Sequence, residues 1–193
     1  MRTGVCKRKT NETDVNVSVS LDNHKPSKIS TGIGFFDHML ELFAFRAGII
    51  LMVEALGDLH VDGHHTVEDV GICLGKALSE ALEDKAGITR YGTAWLPMDE
   101  SLVQCVLDIS GRGLLVFNAD LPAPIVGGFE TELTEEFFRA VAHNAGITLH
   151  INLAYGSNTH HIIEAIFKAF GCALAQAVQK TGLETVSSTK GVL

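Results

Sequence analysis

Several features that would quickly assign a function class are scarce in this chain. Only four cysteines occur in 193 residues, Cys6, Cys73, Cys105 and Cys172, and no Cys-x-x-Cys pair is among them. Such wide spacing suggests neither a disulfide framework nor a cysteine zinc site, and it fits a reducing compartment. Long apolar runs are also lacking. The longest candidate, Ile49 to Val53, is far too short to span a bilayer, and the first eight residues, Met1 to Arg8, are polar. A cytoplasmic protein without a membrane partner is expected. Positive charge is in deficit: 15 Lys and Arg face 23 Asp and Glu, for a formal net charge of -8. That balance argues against a nucleic-acid surface, so a bound phosphate would depend on local basic residues. There is no Walker-type glycine loop, no His-Glu-x-x-His of the zinc proteases, and no linker or low-complexity stretch.

What is present is enough for a folded core, since 46% of the residues are hydrophobic and 20% charged. The length suits one domain or two small halves sharing a core. Self-comparison favours the halves. Asp37 through Ala47-Gly48-Ile49 matches Glu135 through Ala145-Gly146-Ile147 at an offset of 98, and His64-His65-x-x-Glu68 matches His160-His161-x-x-Glu164 at an offset of 96. Downstream of the second match, Val70, Leu74, Leu78 and Leu82 fall on Ile166, Phe170, Leu174 and Val178. This i, i+4 stripe places both motifs at the heads of amphipathic helices. Val15, Val17, Val19 and Leu21 alternate with polar residues as in a strand, and Ile49 to Ala55 and Thr148 to Ala154 form another matched strand pair. Leu102 to Ile109 and Leu114 to Asn118 flank a Ser110-Gly111-Arg112-Gly113 turn, and Leu121 to Phe129 is expected to be a loop. The expectation is an α+β fold made by internal duplication of two similar half-domains, about 1–92 and 93–193.

On a helix, His64 and Glu68 lie four apart and His65 and Glu68 three apart, so either imidazole can approach the carboxylate. Adjacent histidines diverge by about 100°, which lets one motif address two metal ions. His38 adds an imidazole whose repeat partner is Glu136. The candidate ligands are therefore His38, His64, His65, Glu68, Glu136, His160, His161 and Glu164, four for each of two ions. A lone histidine is more often a capping, hydrogen-bonding or solvated residue, but the duplicated clustering favours metal. Imidazole and carboxylate donors suit Mn²⁺, Fe²⁺ or Zn²⁺ better than Ca²⁺ or Mg²⁺. His60, His143 and His150 have no repeat partner and read as packing or surface residues.

Three stretches carry a resemblance to a known family: Gly34-Phe35-Phe36-Asp37-His38-Met39, the run Asp58 to Asp69 around His64-His65-Thr66-Val67-Glu68, and the terminal Ser-Thr-Lys-Gly-Val-Leu. With Pro97 to Glu100, Asp108 to Arg112 and Asn158 to Glu164, they closely resemble imidazoleglycerol-phosphate dehydratases over nearly the whole chain. The resemblance implies a hydro-lyase of histidine biosynthesis that converts D-erythro-imidazole glycerol phosphate to imidazole acetol phosphate. It implies two Mn²⁺ ions per active site, halves resembling ribosomal protein S5 domain 2, and a homo-oligomer of trimers forming a 24-subunit shell with metal sites between subunits. Glu12 and Glu164 are the candidate proton-transfer residues. The substrate would be met by Glu12, His38, His64, Glu68 and His160, with Arg90, Arg112, Lys168, Ser188, Thr189 and Lys190 for its phosphate. Two positions depart from the family pattern: Glu136 stands where histidine is expected, and Ser188-Thr189-Lys190 replaces Ser-Ser-Lys.

The chemistry explains a requirement for two ions. The hydroxyl leaves from the carbon bearing the imidazole and the proton from its neighbour, with no carbonyl to activate either. An imidazole bound by metal at both nitrogens would be an imidazolate able to help expel hydroxide, and a glutamate would take the proton. The other readings are a dinuclear metallohydrolase and a metal-storage shell.

Overall fold

The computed structural model describes residues 1–22, 26–191 and 193. Alternation in the first half produces strands with one buried face. β1 (Thr3–Lys9), β2 (Thr13–Ser20), β3 (Lys28–Ser30) and β4 (Ile50–Gly57) form a sheet in the order β1-β2-β4-β3. Val15, Val17 and Val19 of β2 are buried while the residues between them are partly or fully exposed, the period of two that a half-buried strand requires. The second half repeats the plan. β5 (Tyr91–Met98), β6 (Ser101–Asp108), β7 (Leu114–Asn118) and β10 (Thr148–Tyr155) form a sheet ordered β5-β6-β10-β7, and where Leu121 to Phe129 is expected to be loop, β8 (Ile125–Val126) pairs with β9 (Phe129–Glu130). In both sheets the outer parallel strand, β3 or β7, pairs with the strand that follows a helix.

The expected turn is present, but it does not close a hairpin. β6 and β7 flank the Ser110–Gly113 turn but do not pair, because β10 lies between them, antiparallel to β6 and parallel to β7. The turn instead carries the chain past the end of a helix, where a Cβ on Gly113 would lie 2.5 Å from the Cα of His143.

The helices are α1 (Gly34–Ala47), α2 (His64–Leu82), α3 (Leu133–Ala145) and α4 (Thr159–Ala177). The matched Ala-Gly-Ile endings have a structural cause. Gly48 and Gly146 both sit at φ 65°, the left-handed conformation that closes a helix, and each is followed by a buried isoleucine. α2 packs on the first sheet and α4 on the second, but the helix pairs cross between halves: α1 lies against α4 and α3 against α2. Close approach is built in at equivalent positions. A Cβ on Gly75 would stand 2.8 Å from the carbonyl oxygen of Val141, and one on Gly171 2.7 Å from that of Phe43.

Between the helix pairs lies an aromatic core of Phe36, Phe43, Phe137, Phe138, Phe167 and Phe170, all fully buried. The Phe137 and Phe167 rings stack at 5.3 Å, and Phe43 and Phe170 at 5.1 Å. Burial of each such side chain contributes about 1.5–3 kcal/mol, and Phe36 and Phe43 of the first half meet Phe137, Phe167 and Phe170 of the second. Neither half therefore buries its helices alone. The layers run sheet, helices, sheet, and all four helices begin at one end: Gly63 before α2 faces Ile33 before α1 and Leu133 of α3, while Phe35 of α1 meets His160 of α4.

Candidate metal and active site

This common end gathers the motif histidines. His38 on α1 and His160 on α4 both face Glu164, with ring nitrogens 4.0 and 3.3 Å from its Oε2. One ligand atom from each of the three lies within 4.8 Å of the others, so they form a possible metal-binding group. The donor set fits a borderline divalent ion: two imidazoles and a carboxylate converge from two helices of different halves. Among the described residues no other trio of His, Cys, Asp or Glu side chains brings its ligand atoms so close.

Glu164 is buried, and Oε1, its other oxygen, is paired with Lys168, which also reaches the Met98 sulfur at 3.6 Å. Burial alone would raise its pKa. Lys168 and His160 outweigh that and hold the carboxyl below its usual range. Asn158 caps α4, its side chain accepting from the backbone amides of His160 and His161 at 2.9 and 3.3 Å. α2 is held differently. Its buried Asp69 takes the Arg8 guanidinium at 2.6 Å and the Thr13 hydroxyl at 2.5 Å, fixing the motif helix to the turn joining β1 and β2.

The second histidine of each motif meets carboxylates. His65 Nδ1 lies 3.0 Å from Asp58, and its Nε2 lies 3.9 Å from Glu12. His161 Nδ1 lies 2.7 Å from Glu100, and its Nε2 lies 3.8 Å from Asp99. These hydrogen bonds to Asp58 and Glu100 raise the pKa of both rings. Glu100 in turn is held well below the usual carboxylate range by His161 and by the backbone amide of Asn158.

Several expected residues stand apart. Glu136 on α3 pairs with Arg139, as does Glu135, and it is outside the His38 group. His64 and Glu68 open α2, the former exposed and the latter partly buried. Arg90 lies at the far end of α4, its amide bonded to the carbonyl of Ala177. Its guanidinium binds Asp108 at 2.7 and 3.1 Å and the carbonyl oxygen of Ser187 at 2.6 Å, so it anchors the tail that carries Ser188, Thr189 and Lys190. Arg112 is exposed nearby, where a Cβ on its neighbour Gly111 would meet Leu193 at 2.9 Å. Val192 of the terminal motif lies outside the described residues.

The imidazoleglycerol-phosphate dehydratase family model matches residues 31–174. The chain belongs to that family. An imidazoleglycerol-phosphate dehydratase from Acetivibrio thermocellus is 60% identical over 187 residues, covering 96% of each chain. One from Bacillus thuringiensis is 59% identical with the same coverage. The crystal structure of the Staphylococcus aureus dehydratase superimposes with a TM-score of 0.85 at 51% identity, covering 93% of this chain and 99% of that one. That of IGPD from Pyrococcus furiosus in complex with (S)-C348 gives 0.84 at 39% identity, covering 97% and 100%. As a dehydratase the protein is a hydro-lyase acting on a small molecule, and no helix among its described residues is long and apolar enough to cross a membrane.

Within this dehydratase fold, residue patterns alone did not single out Asp58, Asp99, Glu100 or Arg8. A signal for Glu100 existed. β1 and β2 recur as β5 and β6 from Thr3 to Tyr91 and from Thr13 to Ser101, a third offset of 88 that places Glu100 on Glu12. The offset grows to 98 because the β8–β9 segment is inserted before α3.

Proposed function

We propose that the chain dehydrates imidazole glycerol phosphate to imidazole acetol phosphate, as a cytoplasmic enzyme of histidine biosynthesis, with Mn²⁺ as its metal and two ions per active site. The convergence of His38, His160 and Glu164 from α1 and α4 carries this reading. One ion would be held by that group, and His64, His65, Glu68, Glu136 and His161 supply the remaining candidate donors. When bound, the pair of ions would make the substrate ring an electron-rich imidazolate, which is the driving force for loss of the neighbouring hydroxyl.

The chain's own groups divide the remaining work. Glu164 directs one oxygen toward the two histidines and has the other occupied by Lys168, an arrangement suited to a ligand. Glu12 is exposed in the turn joining β1 and β2, with Oε1 facing His65, and is the freer base for the carbon-bound proton. The enol left by that transfer becomes the ketone.

Placement of Arg90 and the tail, unlike that of Lys168 beside Glu164, favours a second copy. Arg90 and the tail lie beside Ala177, thirteen residues along α4 from Glu164, or about 20 Å at the helical rise. The short glycerol chain cannot span that distance. A phosphate held by Arg90, Arg112 and Lys190 would therefore come with an imidazole held by a neighbouring copy, which supports a homo-oligomer; the shell of trimers with 24 subunits is what the family resemblance implies. The duplication gives halves of about 1–92 and 93–193.

Glu12→Gln and Glu164→Gln separate the two carboxylate roles. With Mn²⁺ and imidazole glycerol phosphate, Glu12→Gln should retain metal while kcat falls about 10²–10⁴-fold, and Glu164→Gln should lose metal by elemental analysis. Wild-type protein that holds Mn²⁺ yet leaves the diol intact would refute the dehydratase reading.

A further inference from the structure

The motif histidines His65 and His161 differ from His64 and His160 in one respect: each has its Nδ1, and not its Nε2, against a carboxylate at hydrogen-bond distance. A carboxylate can only accept a hydrogen bond, so Nδ1 must carry the proton. In the neutral ring the lone pair then lies on Nε2, the nitrogen facing Glu12 in one half and Asp99 in the other.

The two halves reach this arrangement by different routes. The partner of His65 is Asp58, just after β4, and the residue at that place in the second half is Gly156. The partner of His161 is Glu100, between β5 and β6, whose counterpart Glu12 faces His65 through Nε2 instead. Simple inheritance of a duplicated side chain does not produce the same Nδ1 contact from non-equivalent positions. A shared requirement on the ring does.

We propose that Asp58 and Glu100 are positioning residues that fix His65 and His161 in the Nδ1–H tautomer and aim Nε2 at a divalent cation. The inference rests on the reading of both histidines as metal ligands. Carboxylates behind a ligating imidazole orient the ring and raise its basicity, and their loss weakens metal binding by about 10–100-fold. Glu100 is the better fixed of the two, since the backbone amides of Ser157 and Asn158 and the Ser101 hydroxyl also donate to it.

Two measurements on protein stripped of metal and labelled with ¹⁵N-histidine test this. Ring nitrogen shifts should report Nδ1–H at both positions in the wild type, and Mn²⁺ titration followed by electron paramagnetic resonance gives affinity. Asp58→Ala and Glu100→Ala should release their ring to the mixed tautomers of free histidine and bind Mn²⁺ about 10–100-fold more weakly. Asp58→Asn and Glu100→Gln, which keep an accepting oxygen, should recover most of both. His65→Ala and His161→Ala are run in parallel. If those retain all their metal, the ligand reading fails and the inference falls with it. If they lose metal while the Asp58 and Glu100 alanine variants bind within twofold of wild type, the positioning role alone is refuted. A loss that the amide variants do not restore, with a lowered melting temperature, would make the contacts structural and also overturn the proposal.

Discussion

At the residue scale, Glu164 balances two opposed influences. Burial pushes its proton affinity up, while Lys168 and then His160 pull it down by more, so the carboxyl stays ionised below its ordinary range. Lys168→Met removes the principal cation and leaves burial, which should raise the carboxyl's pKa. A ligand or base must be deprotonated to act, so the acid limb of kcat/KM against pH should move to higher pH in this variant, and metal release on acidification should begin earlier. An unmoved limb would show that Glu164 does not govern activity. Residue types alone carried part of this. The paired His-His-x-x-Glu motifs and His38 announced donors, but Lys168 reads from sequence as one more basic residue for phosphate. Its pairing with Glu164 depends on the i, i+4 spacing together with burial of α4 against β5 and β6. Glu136 illustrates the converse. Its repeat position suggested a ligand, while the local i, i+3 geometry gives it Arg139.

At the scale of elements, the helices and strands β2, β4, β6, β7 and β10 followed from periodicity and the repeat, because each half buries one face of a sheet and one stripe of each helix, while β1, β3, β5 and the β8–β9 pair did not. The β6–β7 connection was not legible, since local turn chemistry cannot reveal that β10, more than thirty residues later, enters between the two strands. Nor was the crossing of helix partners between halves. Both depend on which surfaces meet. The glycine contacts make that crossing testable. An added methyl at Gly75 or Gly171 would lie under 3 Å from a backbone carbonyl of the opposing helix, and neither helix backbone can yield locally. Gly75→Ala and Gly171→Ala should each cost about 1–3 kcal/mol, measured by the shift of the guanidinium unfolding midpoint. Alanine ordinarily favours helices over glycine by nearly 1 kcal/mol, so stabilisation would mean the helices do not approach this closely in solution.

At the scale of the whole molecule, the four helix N-termini place every motif histidine at one end, while Arg90 secures the C-terminal tail at the other. A single copy therefore separates the motif histidines from Arg90 and the tail, and the helix between them cannot be shortened without dismantling the aromatic core. This division predicts complementation between subunits. His160→Ala lacks one half of the site and Arg90→Ala the other, so each homo-oligomer should be nearly inactive. Co-expressed in one assembly, a site that draws its histidines from an Arg90→Ala subunit and its phosphate groups from a His160→Ala subunit is intact. Random pairing of equal amounts gives that combination at about a quarter of the sites, so activity should return to that fraction of wild type, assayed on mixed assemblies isolated with a different affinity tag on each variant. If every site drew both sets from one chain, an intact site could not form, and the mixed assembly would be as inactive as its components.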